Sequence, residues 1–136
     1  MKKCIFCEII KGDFSPVYKV YEDQETLAFL DLSPINKGHT LVIPKKHYHT
    51  LMDIPEDTLQ KVVKVVKKIA RALKKESDGI TINQNNYKAS EQIIPHLHFH
   101  IIPRYEGDGL RYIWTSKAYS KGEAEELAER IRKLID

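Results

Sequence analysis

Residues 96–102 read HLHFHII, a strict alternation of imidazole and apolar side chains. In an extended chain, residues i, i+2 and i+4 share one face and step by about 6.5–7 Å per pair. Leu97, Phe99 and Ile101 therefore enter a core, while His96, His98 and His100 line the opposite face of the same strand. One histidine on such a face would be an ordinary polar residue. Three in succession call for chemistry, because Thr, Lys or Glu would face solvent equally well. Imidazole, with an unperturbed pKa of ~6.5, serves as nucleophile, acid, base or metal ligand near neutrality.

The pattern around this stretch predicts what the strand pairs with. KVYEDQETLAFLDL reads as two short strands about the polar turn at residues 22–24, and HTLVIPK as a buried strand closing at Pro44. GITINQ is a further strand, followed by the polar loop NNYKASEQ. The segment MDIPEDTLQKVVKVVKKIARALKKES is the clearest helix. Asp53 and Glu56 have capping-box spacing, Pro55 lies in the first turn, and Leu59, Val62, Val63, Val66, Ile69, Ala70 and Leu73 follow the helical period. A second helix over about 121–135 starts from Ser120 and Glu123, with Ala124, Leu127, Ile131 and Leu134 facing inward. Five strands joined mostly by short turns, with two main helices, make an α+β domain built on an antiparallel sheet.

At 136 residues the chain is expected to be a single domain, long enough to bury a core without disulfide staples. Its net charge of +3 is too small to argue for a nucleic-acid partner. No apolar run reaches the ~20 residues a membrane helix needs. The start MKKCIFCEII is broken by Glu8 and lacks a small-residue cleavage site, which points to a cytoplasmic protein. The two cysteines, Cys4 and Cys7, form a C-x-x-C. In a reducing compartment that pair suits a metal or redox site. The redox version expects the pair to open a helix in a βαβ unit, and no such layout follows Cys7.

Two functional readings of the histidines stay open on chemistry alone. Tetrahedral zinc wants four N or S ligands, and two cysteines with two histidines are a common set. Alternatively, a neutral imidazole attacks a phosphoryl or acyl centre while a neighbour moves a proton. Asn85 and Gln92 lie in the loop just before the triplet, where amide donors would suit a phosphoryl oxygen.

The residues HLHFHII, together with CIFCEIIKGDFSP, VYEDQETLAFLDLSPINKGHTLVIPKKH and PHLHFHIIPR, resemble the histidine triad superfamily. Within it they are most similar to the Hint branch, the nucleoside phosphoramidate hydrolases, in order and spacing over most of residues 4–104. The resemblance implies attack by His98 on the α-phosphorus of a purine nucleotide conjugate, and a nucleotidyl-histidine that water then resolves. It places His100 on a phosphate oxygen, Gln92 near the bridging or incoming atom, and His39 in support from the neighbouring strand. Asp31 would hold the ribose hydroxyls, and Phe6, Ile9, Phe29 and Leu30, with Phe14, the base. One structural zinc per chain would sit on Cys4, Cys7, His47 and His96, leaving His49 as a surface residue. It also implies a homodimer, with the helix near 56–76 as interface. The related chemistry of dinucleoside polyphosphate cleavage, or nucleotide binding with little turnover, are its alternatives.

The chain departs from the family pattern before the triad. Tyr87 and Glu91 stand where relatives often carry glycine, and Ile93 stands where many carry serine. Neither Tyr87 nor Glu91 has glycine's freedom at positive φ. Tyr112 and Trp114, beyond the resemblance, would cover the site or pack the last helix.

Overall fold

The computed structural model describes residues 3–111 and 115–136, so Tyr112 and Trp114 lie outside the described residues. Five strands form one antiparallel sheet: β1 (Lys19–Glu22), β2 (Thr26–Leu30), β3 (Thr40–Pro44), β4 (Gly79–Asn83) and β5 (Phe99–Arg104). Their order is β1-β2-β3-β5-β4. The long helix α2 (Glu56–Lys74) connects β3 to β4, and α3 (Glu123–Leu134) follows β5. The α+β reading with an antiparallel sheet is what the chain adopts.

Central strands β2 and β3 are apolar almost without interruption, and both sheet faces are covered. Ala28, Val42, Leu97 and Ile101 pack with Val62, Val65, Val66 and Ile69 of α2. On the other face, Leu27, Phe29, Leu41 and Ile43 pack with Phe6 and Ile9. These last two belong to a short helix, α1 (Ile5–Lys11), that the sequence reading did not resolve. Its seven residues are too few for a periodic signal. The side chain of Cys4 caps its start by accepting from the Cys7 N–H, and Gly12 ends it at φ 86°. The C-x-x-C pair does open a helix, therefore, contrary to expectation. The strands that follow are nevertheless antiparallel neighbours, so no βαβ unit forms.

Helix α2 begins at Glu56 with Pro55 as N-cap and no side-chain cap. The expected capping box does not form, because Asp53 lies two residues before the cap. Its carboxylate accepts instead from the N–H and hydroxyl of Thr50, at 2.9 and 2.7 Å. Val65 is buried where Val63 was expected, and Val63 remains 45% exposed.

Helix α3 also departs from the expected packing. Gly122 is its N-cap, and only half of a capping box forms, with the Ser120 N–H donating to Glu123 Oε1 at 3.1 Å. No α3 side chain is buried: Ile131 and Leu134 are 55% and 73% exposed. Among the described residues, the apolar stripe stays largely exposed, with Leu127 alone partly buried. Among the described residues, no helix is long and apolar enough to cross a membrane.

This division predicts unequal costs. Leu97→Ala, at a fully buried position, should lower unfolding free energy by about 2–5 kcal/mol. Ile131→Ala should change it by less than about 0.5 kcal/mol. Urea denaturation of the two variants checks the contrast, and similar losses would contradict it.

Candidate active site and metal centre

Register places the polar face of β5. His100 pairs with Leu41 on one side and Asn83 on the other, and Leu41 pairs with Phe29. Partners across a sheet share a face, so His100 lies on the side covered by α1. His96 and His98 precede the hydrogen-bonded part of β5, yet they continue its alternation. His96 is fully buried and His98 only 8% exposed, with Phe6 set edge-on to both rings at 5.7 and 5.2 Å.

Hydrogen-bond partners dictate the tautomers. His98 Nδ1 lies 2.7 Å from the His96 carbonyl, which can only accept. The proton is therefore on Nδ1, and the lone pair is on Nε2. For His39 the logic runs the other way. The backbone N–H of Ile35 donates to His39 Nδ1 at 3.1 Å, which leaves the proton on Nε2. That Nε2 faces His100 Nδ1 at 2.9 Å, so His100 accepts there and carries its own proton on Nε2. The His98 and His100 rings, 4.8 Å apart, thus hold opposite tautomers, one presenting a lone pair and the other a donor.

Burial keeps all of these rings neutral. Desolvation lowers the pKa of His98 and pushes that of His100 down to about 4, where His98 and His39 add to the effect. Desolvation likewise lowers His39, against the pull of Asp31, whose Oδ2 stands 3.8 Å from His39 Nε2. Asp31 is partly exposed and its Oδ1 accepts the Ser33 N–H at 2.8 Å.

The loop before the triad borders an open cleft lined by Ile35, His49, Asn85, Tyr87, Gln92 and His100. Tyr87 and Glu91 take φ of 67° and 66°, glycine's region, without being glycine. Backbone in such regions costs of order 1–3 kcal/mol per residue and persists only when its surroundings impose it. Gln92 supplies much of that imposition. Its Oε1 accepts the Tyr87 N–H at 2.8 Å, and its Nε2 donates to the His49 carbonyl at 2.6 Å. The amide is thus fully engaged, tying its loop to the segment between β3 and α2. Ile93 is 89% exposed.

Phe6 and Ile9 of α1 are buried against Phe29. Leu30, expected beside them, lies on the opposite sheet face toward α2, because strand alternation sets it with Thr40 and Ile101. Phe14 is 36% exposed. His49 is exposed, and its carbonyl rather than its ring ties into the site. The sequence reading missed the Ile35 N–H. A backbone donor leaves no trace in residue type.

The second cluster joins α1 to the end of β3. Donor atoms of Cys4, Cys7, His47 and His96 all lie within 4.8 Å of one another. His96 Nδ1 is 3.4 and 3.6 Å from the two sulfurs, and His47 Nδ1 is 3.3 Å from Cys7 Sγ. Tetrahedral zinc, with bonds of ~2.3 Å to sulfur and ~2.0–2.1 Å to nitrogen, sets such atoms ~3.5 Å apart. His96 Nε2 donates to the Pro44 carbonyl at 2.8 Å, which turns the Nδ1 lone pair toward the thiols. Burial holds His96 neutral, pushing its pKa down to about 4. Burial and the adjacent Cys4 push the Cys7 thiol up to about 11, a penalty that a cation between the sulfurs would reverse. The donor set fits zinc.

Loop strain yields a prediction here. Glu91→Gly should raise unfolding free energy by about 0.5–1 kcal/mol, the relief of a left-handed non-glycine residue less its unfolded-state entropy. Denaturant melts test this, and a destabilised variant would contradict the strained assignment.

The HIT domain family matches residues 15–107. The adenosine 5′-monophosphoramidase of Candida albicans is 39% identical over 97% of this chain and 91% of its own length. A HIT family protein from Bacillus subtilis, solved by crystallography, superposes with a TM-score of 0.90 at 41% identity, covering 99% of each chain. A zinc-bound histidine triad family protein from Mycobacterium smegmatis superposes with a TM-score of 0.76 at 36% identity, over 97% of this chain and 95% of that one. With its sheet, its histidine alternation and these matches, the chain belongs to the HIT family.

Proposed function

We propose that this HIT-family enzyme, a nucleotide hydrolase, cleaves purine nucleoside 5′-phosphoramidates or related AMP conjugates through a nucleotidyl intermediate on His98. The observation that carries the reading is the pair of opposed tautomers, a lone pair on His98 Nε2 beside an N–H on His100 Nε2. The phosphoramidase name of the Candida relative supports the substrate class.

In the first step the His98 Nε2 lone pair attacks the α-phosphorus and the P–N bond to the leaving amine breaks. The amine departs with that electron pair and takes up a proton. The imidazole becomes cationic as the Nε2–P bond forms, and its Nδ1–H bond to the His96 carbonyl strengthens as charge develops. His100 donates to a non-bridging oxygen. In the second step water attacks phosphorus, loses a proton and expels His98 with its lone pair restored. Asp31 accepts from the ribose hydroxyls. The base lies along the Phe6, Ile9 and Phe29 side of α1, without the Leu30 side chain, which faces α2, and Asn85 lines the approach to phosphate. Gln92 acts chiefly by holding the loop to the His49 backbone, since both ends of its amide are already engaged.

Cys4, Cys7, His47 and His96 would hold one structural zinc. Bound there, the ion supplies a cross-link between α1 and the strand ends, with no ligand position left for water. The reading includes a single catalytic domain and a homodimer, for which exposed Val63 of α2 and Ile82 of β4 offer an apolar patch.

Two outcomes follow. His98→Ala should lower kcat/KM for an adenosine 5′-phosphoramidate by on the order of 10⁴ or more while nucleotide still binds. Retained turnover would sink the assignment, and faster cleavage of a dinucleoside tetraphosphate than of the phosphoramidate would favour the alternative substrate. Elemental analysis of protein purified without added metal should find one zinc per chain, lost in Cys4→Ser. A wild-type protein free of zinc with both thiols reduced would contradict the metal site.

A further inference from the structure

The tautomer of His39 depends on the five-residue turn 35–39, which has no assigned contact with phosphate or base. Within it the Ile35 N–H donates to His39 Nδ1, and the His39 N–H donates to the Asn36 carbonyl at 3.0 Å. The Asn36 side chain then leaves the site. Its Nδ2 donates to the Pro103 carbonyl at 2.9 Å and to Asp108 Oδ2 at 3.0 Å. Gly38 presses the same turn against β5: at φ 98°, a Cβ there would stand 3.3 Å from Pro103 Cγ.

Asp108 is itself rigidly held. Arg104 grips it through Nε at 2.8 Å and Nη2 at 3.1 Å, and the N–H groups of Tyr105 and Leu110 donate to it at 3.1 and 3.0 Å. Its side chain is 10% exposed, and the Arg104 guanidinium keeps the carboxyl well below the usual carboxylate range. Arg104 ends β5, the strand that carries His100. The turn that carries Ile35 and His39 is therefore fastened to the strand that carries His100, which sets how the His39 ring, held by the Ile35 N–H, meets His100.

We infer that Asn36, anchored by Asp108 and Arg104, is a positioning residue that locks the His39–His100 pair in its working tautomer. With the Ile35 N–H in place, a proton on His39 Nδ1 would meet a donor, so the proton stays on Nε2 and is presented to His100. Once the turn slackens, His39 takes either neutral form. When its proton moves to Nδ1, its Nε2 becomes an acceptor and His100 turns its own proton inward to Nδ1. The outward Nε2 of His100 is then a lone pair, which repels a phosphoryl oxygen instead of binding it. The consequence for turnover rests on the proposed role of His100; the tautomer lock does not.

The test is Asn36→Ala in the full chain, with Asp108→Asn as a second variant acting on the same anchor. Long-range ¹⁵N–¹H correlation spectra distinguish Nδ1–H from Nε2–H imidazole directly in the folded protein. Wild type should show His39 as the Nε2–H form. Both variants should show averaged shifts at His39 and His100, and kcat/KM for the phosphoramidate about tenfold lower, part of the loss expected for a missing oxyanion donor. An unchanged His39 tautomer in both variants would overturn the inference, whatever happened to melting temperature. Averaged shifts with undiminished turnover would leave Asn36 as the lock and count instead against His100 as a phosphate donor.

Discussion

The placement of His96 is the constraint on which the rest of the structure depends. Its ring is fully buried and reaches in two directions, Nε2 to the Pro44 carbonyl at the end of β3 and Nδ1 to the thiols at the start of α1. Its own carbonyl accepts the Nδ1–H of His98. One residue thereby joins the N-terminal helix to the sheet and sets the protonation of the neighbouring imidazole. A buried polar ring is costly unless every nitrogen is used, and here both are.

The alternation that opens the polar face has a packing cause. Leu97 and Ile101 are anchored against α2, so a one-residue slip of this segment would bury histidines among Val62 and Val66 and expose the leucine. The hydrophobic core thus fixes the direction in which the imidazoles point. Backbone groups then settle what each imidazole does: a carbonyl for His98, an N–H for His39 and, through it, His100. Side chains of one type acquire different chemistry from acceptors and donors that belong to the main chain.

Much of this architecture was legible in residue pattern. Period-two alternation marked β5, short apolar runs between polar turns marked the other strands, including β2 and β3 that are buried on both faces, and the helical period gave α2. The failures share a cause as well. Helix α1 is two turns long, and its apolar residues double as core for β2 and β3, so no period stood out. Asp53 and Ser120 had capping spacing, but spacing does not say which neighbour a carboxylate or hydroxyl will choose. Ile131 and Leu134 had the stripe of a packed helix, and a stripe cannot name a partner. In the site, the cysteines and histidines were visible as residue types. Ile35 was not, since it acts through its N–H, and the positive φ of Tyr87 and Glu91 runs against what their side chains prefer.

Covalent nucleotidylation of His98 is the event on which the proposed chemistry turns. Enzyme mixed with a stoichiometric adenosine 5′-phosphoramidate, quenched in denaturant at alkaline pH within a single turnover and digested, should yield one modified peptide. Its added mass should be that of one adenylyl group, fragmentation should place it on His98, and the adduct should decay as AMP appears. Full turnover with no adduct on His98 at any quench time, or an adduct on His100 instead, would contradict it.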